Sequence, residues 1–190
     1  MTSDLERIAP GLLIAAPALS DPNFHRTVIL LCAHNEQGAM GLVINREAPI
    51  TTHEVMWQLD MDVRTETSQA VMAGGPVSPQ SALLLYQPNQ EQGDAHEEEL
   101  QVGDDLRLSP GRALLEAIAA GKGPARYHLF LGHSGWGPGQ LEQEISHGAW
   151  LPAALRMNLL FDTPLDRLWD ETLVAEGMSP AAFGLLSPKN

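Results

Sequence analysis

A chain of 190 residues, 44% apolar and 18% charged, has the length of one domain and can bury a core without staples. Lys and Arg total 11 against 24 Asp and Glu, a formal net charge of −13. That sign is repelled by phosphate backbones and anionic lipid at long range, which argues against nucleic acid as a direct partner and against a membrane surface.

The chain opens with Met1–Pro10, where Asp4, Glu6 and Arg7 give no basic-then-apolar export layout. Gly11–Ala16 reads as a buried strand ended by Pro17, and Asp21-Pro22-Asn23 as a turn. Thr27–Ala33 is β-branched and apolar, the pattern of a strand covered on both faces. His34–Gly38 is then a hairpin-like connection to a return strand, Met40–Asn45. Thr51 and Glu54 form a capping box that starts a helix carrying Val55, Met56 and Leu59 on one side.

Ala70–Ala73 and Ser81–Tyr86 are short strands separated by the breaker Gly74-Gly75-Pro76. Gln87–Asp105 is polar, with the run Glu97–Glu99 read as a solvated face. Ser109 as cap and Pro110 as first residue start a helix that Gly121 ends. Arg126–Gly132 is a strand, His133–Gly139 a glycine-rich loop, and Gln140–His147 a helix. Thr163-Pro164 opens a last helix that Gly177 closes, and Ser187–Asn190 is a frayed tail. Strands alternate with helices, but one early pair is a hairpin. The expected class is α/β: a compact sandwich with a mixed, partly antiparallel sheet covered by helices, all 190 residues forming one unit.

Few residues carry chemistry. The one cysteine, Cys32, leaves no internal disulfide and suits a reducing, cytoplasmic compartment. Cys32 and His34 lie two apart on a strand, so their side chains share a face and the imidazole could activate the thiol. The plain alternative is a small buried hydrophobe beside a strand-end histidine. Gly132-His133-Ser134 begins like a nucleophile elbow, but the motif needs Gly where Trp136 stands, and no triad follows. The loop could instead cradle an anion at the next helix start, although Glu142 and Glu144 occupy its first turns and no Lys or Arg lies between Arg126 and Arg156. Glu144 and His147 share a helical face, and His128, His133 and His147 could converge, yet no spacing demands a metal. Trp57, Trp150 and Trp169 read as core. The residues imply no metal and no cofactor.

Several blocks together resemble the YqgE/AlgH family of bacterial proteins. They are Leu13–Pro17, Asp21-Pro22-Asn23-Phe24, Val28–Cys32 with His34, and Gly38–Asn45. Gly74–Val77 follows, then Leu131-Gly132, Gly135-Trp136, Gly139–Glu142, Glu144-Ile145 and Trp150-Leu151, and finally Phe161–Pro164 with Trp169. The resemblance spans nearly the whole chain in one order. It implies a small α/β sandwich in the bacterial cytoplasm and, from some members, a role in transcriptional control that includes alginate production. His133-Ser134 stands where the family has an aromatic and a small residue, so chemistry built on His133 is not a family trait. Gln80-Ser81-Ala82 likewise replaces an Arg-Gly pair.

The functional expectation is a non-catalytic binding or regulatory protein acting through three loops. These are His34–Gly38 with Asn35, Gly74–Val77 with Pro76, and His133–Gly139 with Ser134, Gly135 and Trp136. Its partner would be a protein or a small molecule. The rivals are a thiol enzyme or redox sensor using Cys32 with His34, and direct nucleic-acid binding.

Overall fold

A computed structural model describes residues 8–64, 69–89 and 98–186. The chain runs β1 (Gly11–Ala15), β2 (Val28–Asn35), β3 (Gly38–Val43), β4 (Glu47–Thr51), α1 (Thr52–Gln58), β5 (Ala70–Ala73), β6 (Val77–Tyr86), β7 (Leu100–Val102) and β8 (Leu106–Ser109). It continues α2 (Arg112–Ala119), β9 (Tyr127–Trp136), α3 (Gln140–Ser146), β10 (Trp150–Ala153), α4 (Met157–Phe161), α5 (Leu165–Ala175) and α6 (Pro180–Leu186).

Among the described residues the strands form one sheet in the order β10-β1-β2-β3-β9-β6-β8-β7, with β5 beside β9 and β4 outside β5. Among the described residues only β5 with β9 is a parallel pair. The fold is α/β with a mixed sheet, as the alternation of elements implies. The sheet is not a flat layer, however. It curls into a half-barrel, bringing β7 back against β2.

Curling divides the apolar residues among three clusters. The inner one gathers Leu12, Ile14, Leu30, Leu42, Leu85 and Phe130 from the strands with Leu160, Trp169, Leu173 and Phe183 from α4, α5 and α6. Full burial of each such side chain stabilises by roughly 1.5–3 kcal/mol. A second cluster joins Leu13, Ile29, Leu31 and Val43 to Leu141 of α3. A third joins Val71, Leu84 and Leu129 to α1 and α2 through Val55, Met56, Leu115 and Ile118.

Several local expectations hold. Thr51 caps α1 with Glu54 reaching back, and Trp150 and Trp169 are buried. Others are corrected. The connection at His34–Gly38 shrinks to Glu36-Gln37, because β2 and β3 stay paired out to Asn35 and Gly38. Ser109 does not cap α2. It remains in β8 opposite Leu84, its Oγ accepts the Gly111 N–H, and Gly111 is the cap.

The glycine loop His133–Gly139 is strand as far as Trp136, because β3 and β6 supply backbone partners there. Strands β4 and β10 were hidden by Pro49 and Pro152, which edge strands tolerate. Helix α5 is not the last, since α6 follows it. Glu99 is no solvated charge, for its carboxylate is 5% exposed and accepts the Tyr86 hydroxyl. Trp57 is not core either, being 72% exposed. Glu97 and Ser187–Asn190 lie outside the described residues.

Candidate functional site

Strand β9 organises the site, since β3, β5 and β6 all pair with it. Below the short β3–β9 pairing, Gly74 takes the place of a strand residue between them. Its N–H donates to Leu131 O and its carbonyl accepts the Val43 N–H, both over 2.9 Å. The buried Ser134 hydroxyl donates to the same carbonyl at 3.3 Å.

Close approach explains the glycines. A Cβ on Gly74 would stand 2.3 Å from Gly132 O, and one on Gly75, whose φ is +148°, 2.4 Å from the His133 carbonyl. Only glycine tolerates both demands. At the hairpin, a Cβ on Gly38 would stand 2.2 Å from Trp136 O.

Of the three segments expected to carry function, the first therefore lies against the third at Trp136 and the second lies against it at Gly132 and His133, backbone against backbone. What they leave on the surface is Asn35, Pro76, Val77, Gly135 and Gly137–Gly139, with His133 half-buried opposite Val77. Gly135 differs from Gly38, Gly74 and Gly75. A Cβ there would meet only Val77 Cγ2 at 3.8 Å, so this glycine faces open space.

Cys32 and His34 are not brought together. Leu31 pairs with Gly41 and Ala33 with Met40, so Cys32 is the extra residue of a β-bulge. One extra residue reverses the alternation of side chains. Cys32 stays with Leu30 in the inner cluster, whereas His34 pairs with Ala39, which packs on the outer one. The thiol is buried, and desolvation pushes its pKa up to about 12. A thiolate at neutral pH has no support in this environment.

His34 instead meets α3. Its Nε2 lies 2.8 Å from Glu142 Oε1, and its side chain is 6% exposed. The Glu142 carboxyl is held below the usual range, first by its own backbone N–H at the helix start and then by the His34 ring, with desolvation opposing. That carboxylate occupies the helix start where an anion cradle was considered. Two positions on, Glu144 Oε2 accepts the indole N–H groups of Trp136 at 2.9 Å and Trp150 at 2.7 Å, and Oε1 accepts from Gln140. The two indoles pack edge to face. No periodicity in the sequence pairs Glu144 with either tryptophan; only the fold of β9, α3 and β10 does.

His128 and His147 take no part in this arrangement. His128 is largely buried, its Nε2 lies 3.0 Å from Leu160 O, its ring stacks on Phe161, and burial lowers its pKa. His147 is exposed at the end of α3. Among the described residues no group of three or more His, Cys, Asp or Glu could hold a metal ion. Ser134 is sealed in by Gly74 and Gly75 and does not stand on an elbow.

The chain resembles known proteins along nearly all of its length. The AlgH-like family model matches residues 12–181. A UPF0301 protein of Anaeromyxobacter sp. (strain K) is 41% identical over 184 residues, covering 93% of this chain and 91% of the relative. Another, of Xanthomonas campestris pv. campestris (strain B100), is 43% identical over 164 residues, or 85% of each. The solution structure of the AlgH protein from Pseudomonas aeruginosa superposes with a TM-score of 0.77 at 35% identity, covering 100% of this chain and 98% of that one. A crystal structure of a protein from Corynebacterium diphtheriae gives 0.71 at 27% identity, covering 95% and 92%.

Proposed function

This chain belongs to the AlgH-like family, and we propose that it is a non-catalytic regulatory protein of the bacterial cytoplasm, acting on transcription through a partner bound at the β9 rim. The observation that carries the reading is the exposed Gly135 on β9 beside Val77, where nothing in the packing requires glycine. An open glycine on a rigid strand lets another backbone or a flat group approach closely. The side chains around it, Val77, Pro76 and the half-buried His133, offer shape and one polar group. The thiol alternative is disfavoured by the burial of Cys32. Direct nucleic-acid binding is disfavoured by the net charge of −13.

The test is complementation in a bacterial strain whose own copy is deleted, read as a transcript profile. The wild-type chain restores the profile, and Gly135→Arg at equal protein level does not. Val174→Arg, on the exposed face of α5, serves as the control and restores it. Full restoration by Gly135→Arg would remove the rim from the mechanism, and an unchanged profile on deletion would remove the regulatory role.

A further inference from the structure

A second feature lies on the outer face of the sheet and shares no residue with the three rim segments. Here Ala82 and Leu84, alternate residues of β6 and so on one face, lie with Gln80 under the start of α2. With Leu115 and Leu129 they form the floor of a cavity of about 250 Å³, open on one side. In a chain of net charge −13, the one charged residue lining this cavity, among the described residues, is Arg112.

Arg112 stands at the lip, with its side chain largely exposed. Its Nε donates to Glu116 Oε1 at 2.9 Å and its Nη2 to Leu59 O at 3.1 Å, while Nη1 has no partner among the described residues. A guanidinium carries five N–H donors, so a second edge is available beside the one Glu116 uses. On the far side of Arg112 a neighbouring depression is lined by Asp60, Asp62 and Glu116 together with Arg64, which pairs with Asp62. The charge lining the hollow itself is a guanidinium, whose remaining N–H groups can pair an acid head and not an amine.

We propose that this cavity binds a small aliphatic carboxylate, its tail on Ala82, Leu84, Leu115 and Leu129 and its carboxylate on the Nη edge of Arg112. The volume lies just below the range usual for drug-sized ligands, which suits a chain of a few carbons. Each methylene buried is worth roughly fourfold in affinity until the hollow is full.

The experiment follows the methyl signals of Leu115 and Leu129 in the full-length chain during titration with butanoate, hexanoate, hexan-1-ol and hexylamine. Hexanoate is expected to saturate these shifts and to bind more tightly than butanoate by roughly fourfold per methylene. Arg112→Gln weakens hexanoate about tenfold or more and leaves hexan-1-ol unchanged. Ala82→Leu, which fills the floor, removes binding, with the amide spectrum reporting that each variant is folded. Equal affinities for hexanoate, hexan-1-ol and hexylamine would overturn the proposal, as would no saturable shift up to concentrations on the order of 10 mM. Either failure leaves the rim reading untouched, because Gly135 takes no part.

Discussion

The Trp150 indole N–H donates to Glu144 Oε2 over 2.7 Å, tying the last strand of the sheet to the helix that precedes it. The same oxygen accepts Trp136 from β9. One carboxylate therefore satisfies two buried donors from two strands.

Removing it leaves both unpaired. Glu144→Ala is expected to lower the unfolding free energy by about 3 kcal/mol, since each buried unsatisfied donor costs about 1–3 kcal/mol. Glu144→Gln keeps one acceptor and loses about half as much. Urea denaturation followed by tryptophan fluorescence measures both. A Glu144→Ala variant within about 0.5 kcal/mol of wild type would show that the indoles find other partners.

The two kinds of glycine on the rim separate under substitution. Gly75→Ala forces a Cβ to 2.4 Å from the His133 carbonyl at a φ of +148°, and is expected to cost about 3 kcal/mol or more. Gly135→Ala meets nothing closer than 3.8 Å and is expected to change stability by less than about 1 kcal/mol in either direction. Thermal melts of the pair check the contrast. Equal losses would contradict the assignment of Gly135 to open surface.

Cys32 is expected to resist alkylation in the folded protein at pH 8, because burial pushes its thiol up to about 12. In urea it should react at the rate of an ordinary cysteine with a pKa near ~8.5. Rapid modification of the native chain at neutral pH would revive the redox reading. Cys32→Ala, which removes only the sulfur from a packed site, is expected to cost about 1 kcal/mol.

Acid sensitivity is expected to centre partly on His128. Burial lowers its pKa, so the folded state holds its proton less readily than the unfolded chain. Its contribution to stability is complete above the unfolded value near ~6.5 and is lost as pH falls through the folded value. His128→Gln should therefore flatten the decline in urea midpoint between about pH 7 and pH 5 relative to wild type. Identical slopes in the two proteins would show that other groups govern it.

The strands rich in β-branched and leucine residues were readable because their composition and short length are local properties, as at Val28–Leu31. Thr51 and Glu54 were readable for the same reason, as a capping box is written in four consecutive residues. The bulge at Cys32 was not, because which residue is extra depends on the register of β3. His133–Trp136 looked like a loop because Gly132, Gly135 and Gly137 punctuate it. Its strand geometry comes from partners in β3 and β6, 56 to 97 positions away. That Gly38 and Gly74-Gly75 both pack on β9 depends on the pairing of distant strands, and the clamps of α3 through His34 and Glu144 had no sequence signal at all.

Strand β9 has a consequence for how the protein is made. Strands β3, β5 and β6 all emerge from the ribosome before it; β3 can pair with β2 and β5 with β4, but each keeps one edge open, and β6 lacks its longest partner, until β9 has been synthesised. The first two thirds of the chain thus leave the tunnel with a vacant slot at the centre of the sheet, flanked by open edges and apolar faces. Closing it late, from the C-terminal side, makes assembly non-local and ties the fate of the nascent chain to whatever shields those edges in the meantime.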